Sequence, residues 1–241
     1  MSEHEITTER RPENTPPQHV LDLEPGSTAD DWHRHSNGGG WVYRKAWVAE
    51  TAYVGPDAVV YGTAVVIHRA SVSGNARVFG CAEVFNRAAV YSNAMVCGNA
   101  KVYGSAEVCG NAVVCDNAKV FGNTLVFGSV KVFGSAKIAG SAEVSGNAEV
   151  FGNAFIGDNA TVDENAKVYG NAVVYGNAVV YGSAVVYRNA AVCGSARVCE
   201  NAAICGCAEV FDSAKVYGSA IVCGNAEVCG HTQVCGNDRI Y

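Results

Sequence analysis

The stretch Ala166-Lys-Val-Tyr-Gly-Asn-Ala-Val-Val-Tyr-Gly-Asn177 says the same six-residue phrase twice, and its reading decides the fold. In Ala-x-Val-x the small apolar residues alternate with variable ones, so alanine and valine point to one side of a short strand. The Gly-Asn pair then turns the chain: glycine adopts positive φ freely and asparagine tolerates it, so each pair reads as a corner. Serine often takes the asparagine place, as at Ser105, Ser129 and Ser219, and suits a positive φ less well.

Working outward from this stretch, the phase never slips. Every residue whose number is a multiple of six, from Val42 to Ile240, is valine or isoleucine. Two places earlier stands alanine, from Ala46 onward, with Thr124, Val130, Thr232 and Asp238 as the exceptions. A strand of about four residues and a two-residue corner, repeated without insertion, wind a coil whose strands stack in parallel. Valine is β-branched and suits that pleated surface, while alanine keeps the bore narrow near each corner. One unit alone buries too little to be stable; stability comes from stacking coils.

The spacing of an aliphatic residue, two corner residues and a small residue four places on resembles the hexapeptide repeat of left-handed parallel β-helix proteins. That resemblance covers residues 41–241. It implies an all-β, single-stranded, left-handed triangular helix of three hexads, or eighteen residues, per coil. Roughly eleven coils and a column about 50 Å long would follow at the usual strand spacing. The family pattern commonly has glycine directly after the aliphatic residue, whereas here that place holds mostly Tyr, Phe or Cys and glycine comes one later. This variant is similar to a subset of bacterial and phage-associated repeat proteins, some carrying an acetyltransferase label.

Residues 1–40 differ in kind. They hold four of the five prolines (Pro12, Pro16, Pro17 and Pro25), more acidic than basic residues and no apolar periodicity. They read as a mostly disordered arm ending in a glycine hinge, Gly38-Gly-Gly40. Trp41 and Trp47, at the start of the column, read either as covers for the open end of its first coil or as ordinary outward ladder positions. The net charge of -6 gives no basic footprint, so nucleic acid is not an expected partner. No apolar run reaches the ~18 residues of a membrane span, and the first twenty residues lack the apolar core of a signal peptide. The eleven cysteines are therefore expected to be reduced in a cytoplasm.

With eighteen residues per coil, outward residues fall into vertical ladders. The place after each valine on the first face runs from Tyr43, Tyr61 and Phe79 through Cys97 and Cys115 to Phe133, Phe151, Tyr169 and Tyr187, then Cys205 and Cys223. Rings one coil apart would stack, which stiffens the column or makes an assembly face. Cys97/Cys115 and Cys205/Cys223 are ladder neighbours whose parallel side chains give poor disulfide geometry, so a reduced ladder is expected. No CxxC occurs, and no metal is expected. Lys101, Lys119 and Lys137 would stack on the second face, either as a solvated stripe or as a seat for an anion.

Two functions of different class remain open from the sequence. The lack of any interrupting loop favours a rigid scaffold, structural or self-assembling, forming trimers or end-to-end stacks and needing no cofactor. The family resemblance implies the other, an acyltransferase using acetyl-CoA or another acyl-CoA, with its site between trimer subunits. Such enzymes commonly use a histidine base, and His68, which interrupts a corner beside Arg69, is the candidate.

Overall fold

Residues 15–241 are described by the computed structural model. The six-residue alternation produces strands of two to four residues, each ending where a corner begins. They stack into three parallel sheets joined edge to edge by the corners, one of twelve repeat strands, extended to thirteen by the antiparallel β1 (Trp32–Arg34), and the others of eleven each. The register is eighteen residues throughout, as in Val102 against Val120 and Val168 against Val186. The protein is thus an all-β parallel solenoid of about eleven coils. Face 1 begins at β2 (Trp41–Tyr43), face 2 at β3 (Trp47–Val48) and face 3 at β4 (Tyr53–Val54), β1 being described below.

The core is the bore of the column, filled by the alanines and the valines or isoleucines of the repeat, almost all fully buried. A buried valine contributes roughly 1.5 kcal/mol or more, against an ordering cost of about 1–2 kcal/mol per residue. No coil stands alone on those terms, so hydrogen bonds between coils and the stacked ladders must carry much of the balance. One core position breaks the pattern: the Thr124 hydroxyl is buried in the bore without a hydrogen-bond partner.

The corners correct one expectation. Positive φ is confined to the first corner residue, usually glycine; the asparagine or serine that follows does not share it. At Gly122, with φ of 88°, an added Cβ would come within 2.5 Å of the Gly140 carbonyl oxygen, so conformation and close approach both favour glycine there. The second residue is chosen for its side chain instead. Asn75, Asn93 and Asn111 donate in sequence from one amide to the next at 3.1 Å, and Asn153, Asn171 and Asn189 do the same at 3.1 and 2.9 Å. These asparagine ladders bind successive corners together, and serine ends a ladder rather than straining a backbone.

The segment before the column is also more structured than its composition predicts. Residues 1–14 of the expected disordered arm lie outside the described residues. From residue 15 the chain forms α1 (Gln18–Leu21), a 3-10 turn (Ala29–Asp31) and β1 (Trp32–Arg34). β1 pairs antiparallel with β2, setting Trp32 against Tyr43 and Arg34 against Trp41. The following residues cross the foot of face 3, where the Gly40 amide donates to the Val54 carbonyl (2.9 Å) and the Val54 amide to that of Asn37 (3.0 Å). The buried His35 ring meets the Ala52 carbonyl at 3.0 Å. A few large side chains hold this segment down without any periodicity, which is why the sequence pattern does not reveal it. It also does the covering expected of the tryptophans. Trp41 and Trp47 occupy outward positions on faces 1 and 2; Trp41 is buried beneath the Arg34 guanidinium, 4.0 Å from its ring, whereas Trp47 is 64% exposed. Among the described residues nothing pairs with the outer edge of β3.

Candidate functional site

Because every outward side chain sits on a ladder, a candidate site here is a run of rungs rather than a cleft. On face 1 the ring centroids of Phe133, Phe151, Tyr169 and Tyr187 follow one another at 4.8, 4.6 and 5.3 Å, with planes within 18° of parallel. That spacing is the strand spacing, so the backbone imposes the stack. Beside the rings runs a second column on the same face, Lys131, Glu149 and Lys167. The Glu149 carboxylate takes both ammonium groups, at 3.6 and 3.1 Å. The hydrogen bond from Lys167 and the two positive charges hold the Glu149 carboxyl below the usual carboxylate range. This stretch of face 1 is therefore half-buried aromatic surface bordered by paired charge with one positive charge in excess.

The foot of the same ladder looks different. Tyr43, Tyr61 and Phe79 are packed under Val20, Leu21, Leu23 and Trp32 of the leading segment. Trp32 lies 5.1 Å from the Tyr43 ring and 6.4 Å from that of Tyr61, and its indole N–H donates to the Ser27 hydroxyl at 3.0 Å. Burial there pushes the Tyr61 phenol up to about 12.

Lys101, Lys119 and Lys137 are register partners on face 2, as their spacing predicts. They do not form a column of three free ammonium groups. Lys101 turns to Glu83 one coil below, at 2.7 Å, leaving Lys119 and Lys137 as the like-charged neighbours.

His68 sits at the first position of a corner between faces 2 and 3, at φ 62°. Its Nδ1 accepts the Asn86 amide hydrogen at 3.3 Å. Four acidic residues occupy the same kind of position and do the same work: Asp116, Asp158, Glu200 and Asp212 each accept the amide hydrogen of a glycine eighteen residues on, at 2.9–3.1 Å. These acidic corners carry no sequence signal beyond the eighteen-residue offset, and sequence reasoning missed them. His68, Arg69, Asn86 and Arg87 together line a shallow open depression of about 420 Å³.

The cysteines divide. Cys205 and Cys223 bring their sulfur atoms against each other with Cα atoms 4.6 Å apart, the one pair of the ladder placed closely enough to be linked. That separation lies within the range a disulfide spans, although the two side chains leave parallel strands. Cys97 and Cys115, in the same register, are free thiols. Burial, and then the neighbouring Cys115, push the Cys97 thiol up to about 11, and burial raises Cys115 as well. Neither is a thiolate nucleophile at neutral pH. Among the described residues no group of three His, Cys, Asp or Glu is placed to hold a metal, and no helix is long and apolar enough to cross a membrane.

Fold and surface together define a β-solenoid repeat scaffold whose outward chemistry is arranged in columns. A family model described as YdcK Beta solenoid repeat matches residues 166–182 and 174–188, the region of the quoted repeat. The chain is similar to that repeat over these residues. No curated protein matches the chain.

Proposed function

We propose that this protein is a rigid, non-catalytic scaffold that self-associates through the aromatic ladder of face 1. One observation carries the reading. At its foot the ladder is buried by apolar side chains of the chain's own leading segment, while Phe133, Phe151, Tyr169 and Tyr187 continue the same surface without cover among the described residues. The occupant best suited to the uncovered rungs is a second copy of the same face. Its rings match at the strand spacing, and its Lys131–Glu149–Lys167 column, carrying one net positive charge at an exposed surface, sets only a weak, salt-screened repulsion against another like itself. A side-by-side dimer about a two-fold axis meets that requirement, since its interface joins the same face of each copy. End-to-end stacking is the weaker form of assembly, because β1 and the His35–Gly40 segment already occupy two of the three sheet edges at that end.

The experiment is analytical ultracentrifugation of the full chain and of the double variant F151E/Y169E. Wild type should sediment as an oligomer and the variant as a folded monomer. A monomeric wild type across the micromolar range defeats the proposal.

A second reading, an acyltransferase of the hexapeptide-repeat class, is favoured only by the imidazole of His68 lying in an open depression beside two arginines. Turnover of acetyl-CoA with amine or sugar acceptors that is lost in H68A would establish it and displace the scaffold. Absence of CoA binding at millimolar concentration would remove it.

A further inference from the structure

Arg69 and Arg87 are the feature the scaffold reading leaves unexplained. Both occupy the second corner position, where asparagine or serine is the rule, and they stand one coil apart on the same corner. Where two asparagines meet in that relation their amides bond to one another; two guanidinium groups so placed only repel. Lys119 and Lys137 also stand adjacent on face 2, whereas between Lys131 and Lys167 the chain interposes the Glu149 carboxylate. No carboxylate does so here. Glu50, one coil below His68 on the same corner, makes no ion pair with either arginine among the described residues.

The histidine completes the arrangement. Since Nδ1 of His68 accepts the Asn86 amide hydrogen, the neutral ring carries its own hydrogen on Nε2. The corner therefore offers the ring N–H and the guanidinium N–H groups of two arginines whose backbones stand about one strand spacing apart, around a depression of about 420 Å³. We propose that the corner formed by His68, Arg69, Asn86 and Arg87 is a binding site for a tetrahedral dianion, phosphate or a phosphomonoester, held between the two arginines with His68 Nε2–H as a third donor. Guanidinium forks match phosphate oxygens in pairs, and the bound anion would relieve the repulsion between them.

The site is independent of the scaffold reading and shares His68 and its depression with the acyltransferase reading, and it is tested without CoA or any acceptor. Inorganic phosphate and O-phosphoserine are titrated separately into the full chain by calorimetry, with thermal midpoints recorded for each variant. Saturable binding is expected for at least one of them; tighter binding of phosphate marks a free-ion site, and tighter binding of O-phosphoserine a site for a phosphorylated ligand. R69Q and R87Q should each weaken it about tenfold or more. H68D keeps an acceptor for the Asn86 amide, as Asp116 does for Gly134, and reverses the charge. It should abolish binding while leaving the thermal midpoint near that of wild type. No saturable binding of either anion, or equal affinity in wild type and the R69Q/R87Q double variant, overturns the proposal.

Discussion

The ladder of face 1 is one surface in two conditions. At Tyr43 and Tyr61 it lies buried under a helix, a turn and an antiparallel strand, with Phe79 at the margin of that cover; at Phe133, Phe151, Tyr169 and Tyr187 the same kind of rung is half-buried with nothing over it among the described residues. The backbone beneath is the same in both, with the same register and hydrogen bonds. The difference teaches that the column is indifferent to what covers it. The bore supplies the fold, and outward residues are free to serve whatever lies against them. Stability and interaction are therefore separable here, and substitutions can show how completely.

The largest expected effect comes from breaking the column's phase. One residue inserted after Asn171 would turn every later side chain to the opposite side of its strand. It should abolish the cooperative thermal transition, whereas the same insertion after Gly26, in the leading segment, should leave the transition in place. Loss of the transition in both would mean that the column depends on its cover. Next comes Trp32→Ala, which removes a buried indole at a cost of about 3–5 kcal/mol. That loss should fall on the leading segment, seen as rapid proteolysis before residue 41 while the column's circular dichroism persists. Phe151→Ala removes two ring contacts worth about 0.5–1.5 kcal/mol each and leaves the bore intact. If it destabilises the column as much as Trp32→Ala frees the leading segment, the two conditions of the ladder are not distinct.

Two smaller tests sharpen the same contrast. Thr124→Val replaces an unpartnered buried hydroxyl by a methyl group of like shape and should stabilise the column by about 1 kcal/mol in denaturant unfolding. A loss instead would show that the hydroxyl has a partner. Glu149→Gln should cost less than about 1 kcal/mol at neutral pH, since the pair is largely solvated. The folded carboxyl titrates below its unfolded value, so its contribution is present above the ordinary carboxylate range and lost as pH falls through the folded value. The difference between variant and wild type should therefore vanish in acid; a difference that grows there would contradict the ion-pair column.

Much of this was legible in the sequence. Val at every sixth place gave the coil, and the eighteen-residue offset gave the rungs before any coordinate was known. Three things were not legible, for related reasons. Gly-Asn corners were read by propensity, but only the glycine carries positive φ; the asparagine is selected by its counterpart eighteen residues away, as Asn93 is by Asn75 and Asn111. The lysine stripe and the softening charge of Glu83 beside it are both readable from the spacing, but that Lys101 bonds to Glu83 and leaves the column to Lys119 and Lys137 is not. The leading segment has no period, so Val20 and Trp32 gave no warning that they would find Tyr43 and Tyr61. Periodic information was recovered, and information held in single contacts was not. Of the candidate sites, the aromatic rungs were visible as a pattern, while the role of His68 as a stand-in for an acidic corner needed the Asn86 amide to be seen.

The unvarying eighteen-residue register makes the molecule a graduated measure. Removing residues 148–165, a whole turn, would bring Asn147 to the place of Asn165 and leave every inward position, corner and ladder in step. The rod would be shorter by one strand spacing, about 4.8 Å, having lost Glu149 and Phe151 from their columns but with every remaining rung in register. Distance between the His68 corner and the upper aromatic rungs is thus set in equal increments by the number of turns between them. A lineage could retune how far apart two bound partners are held without redesigning either surface.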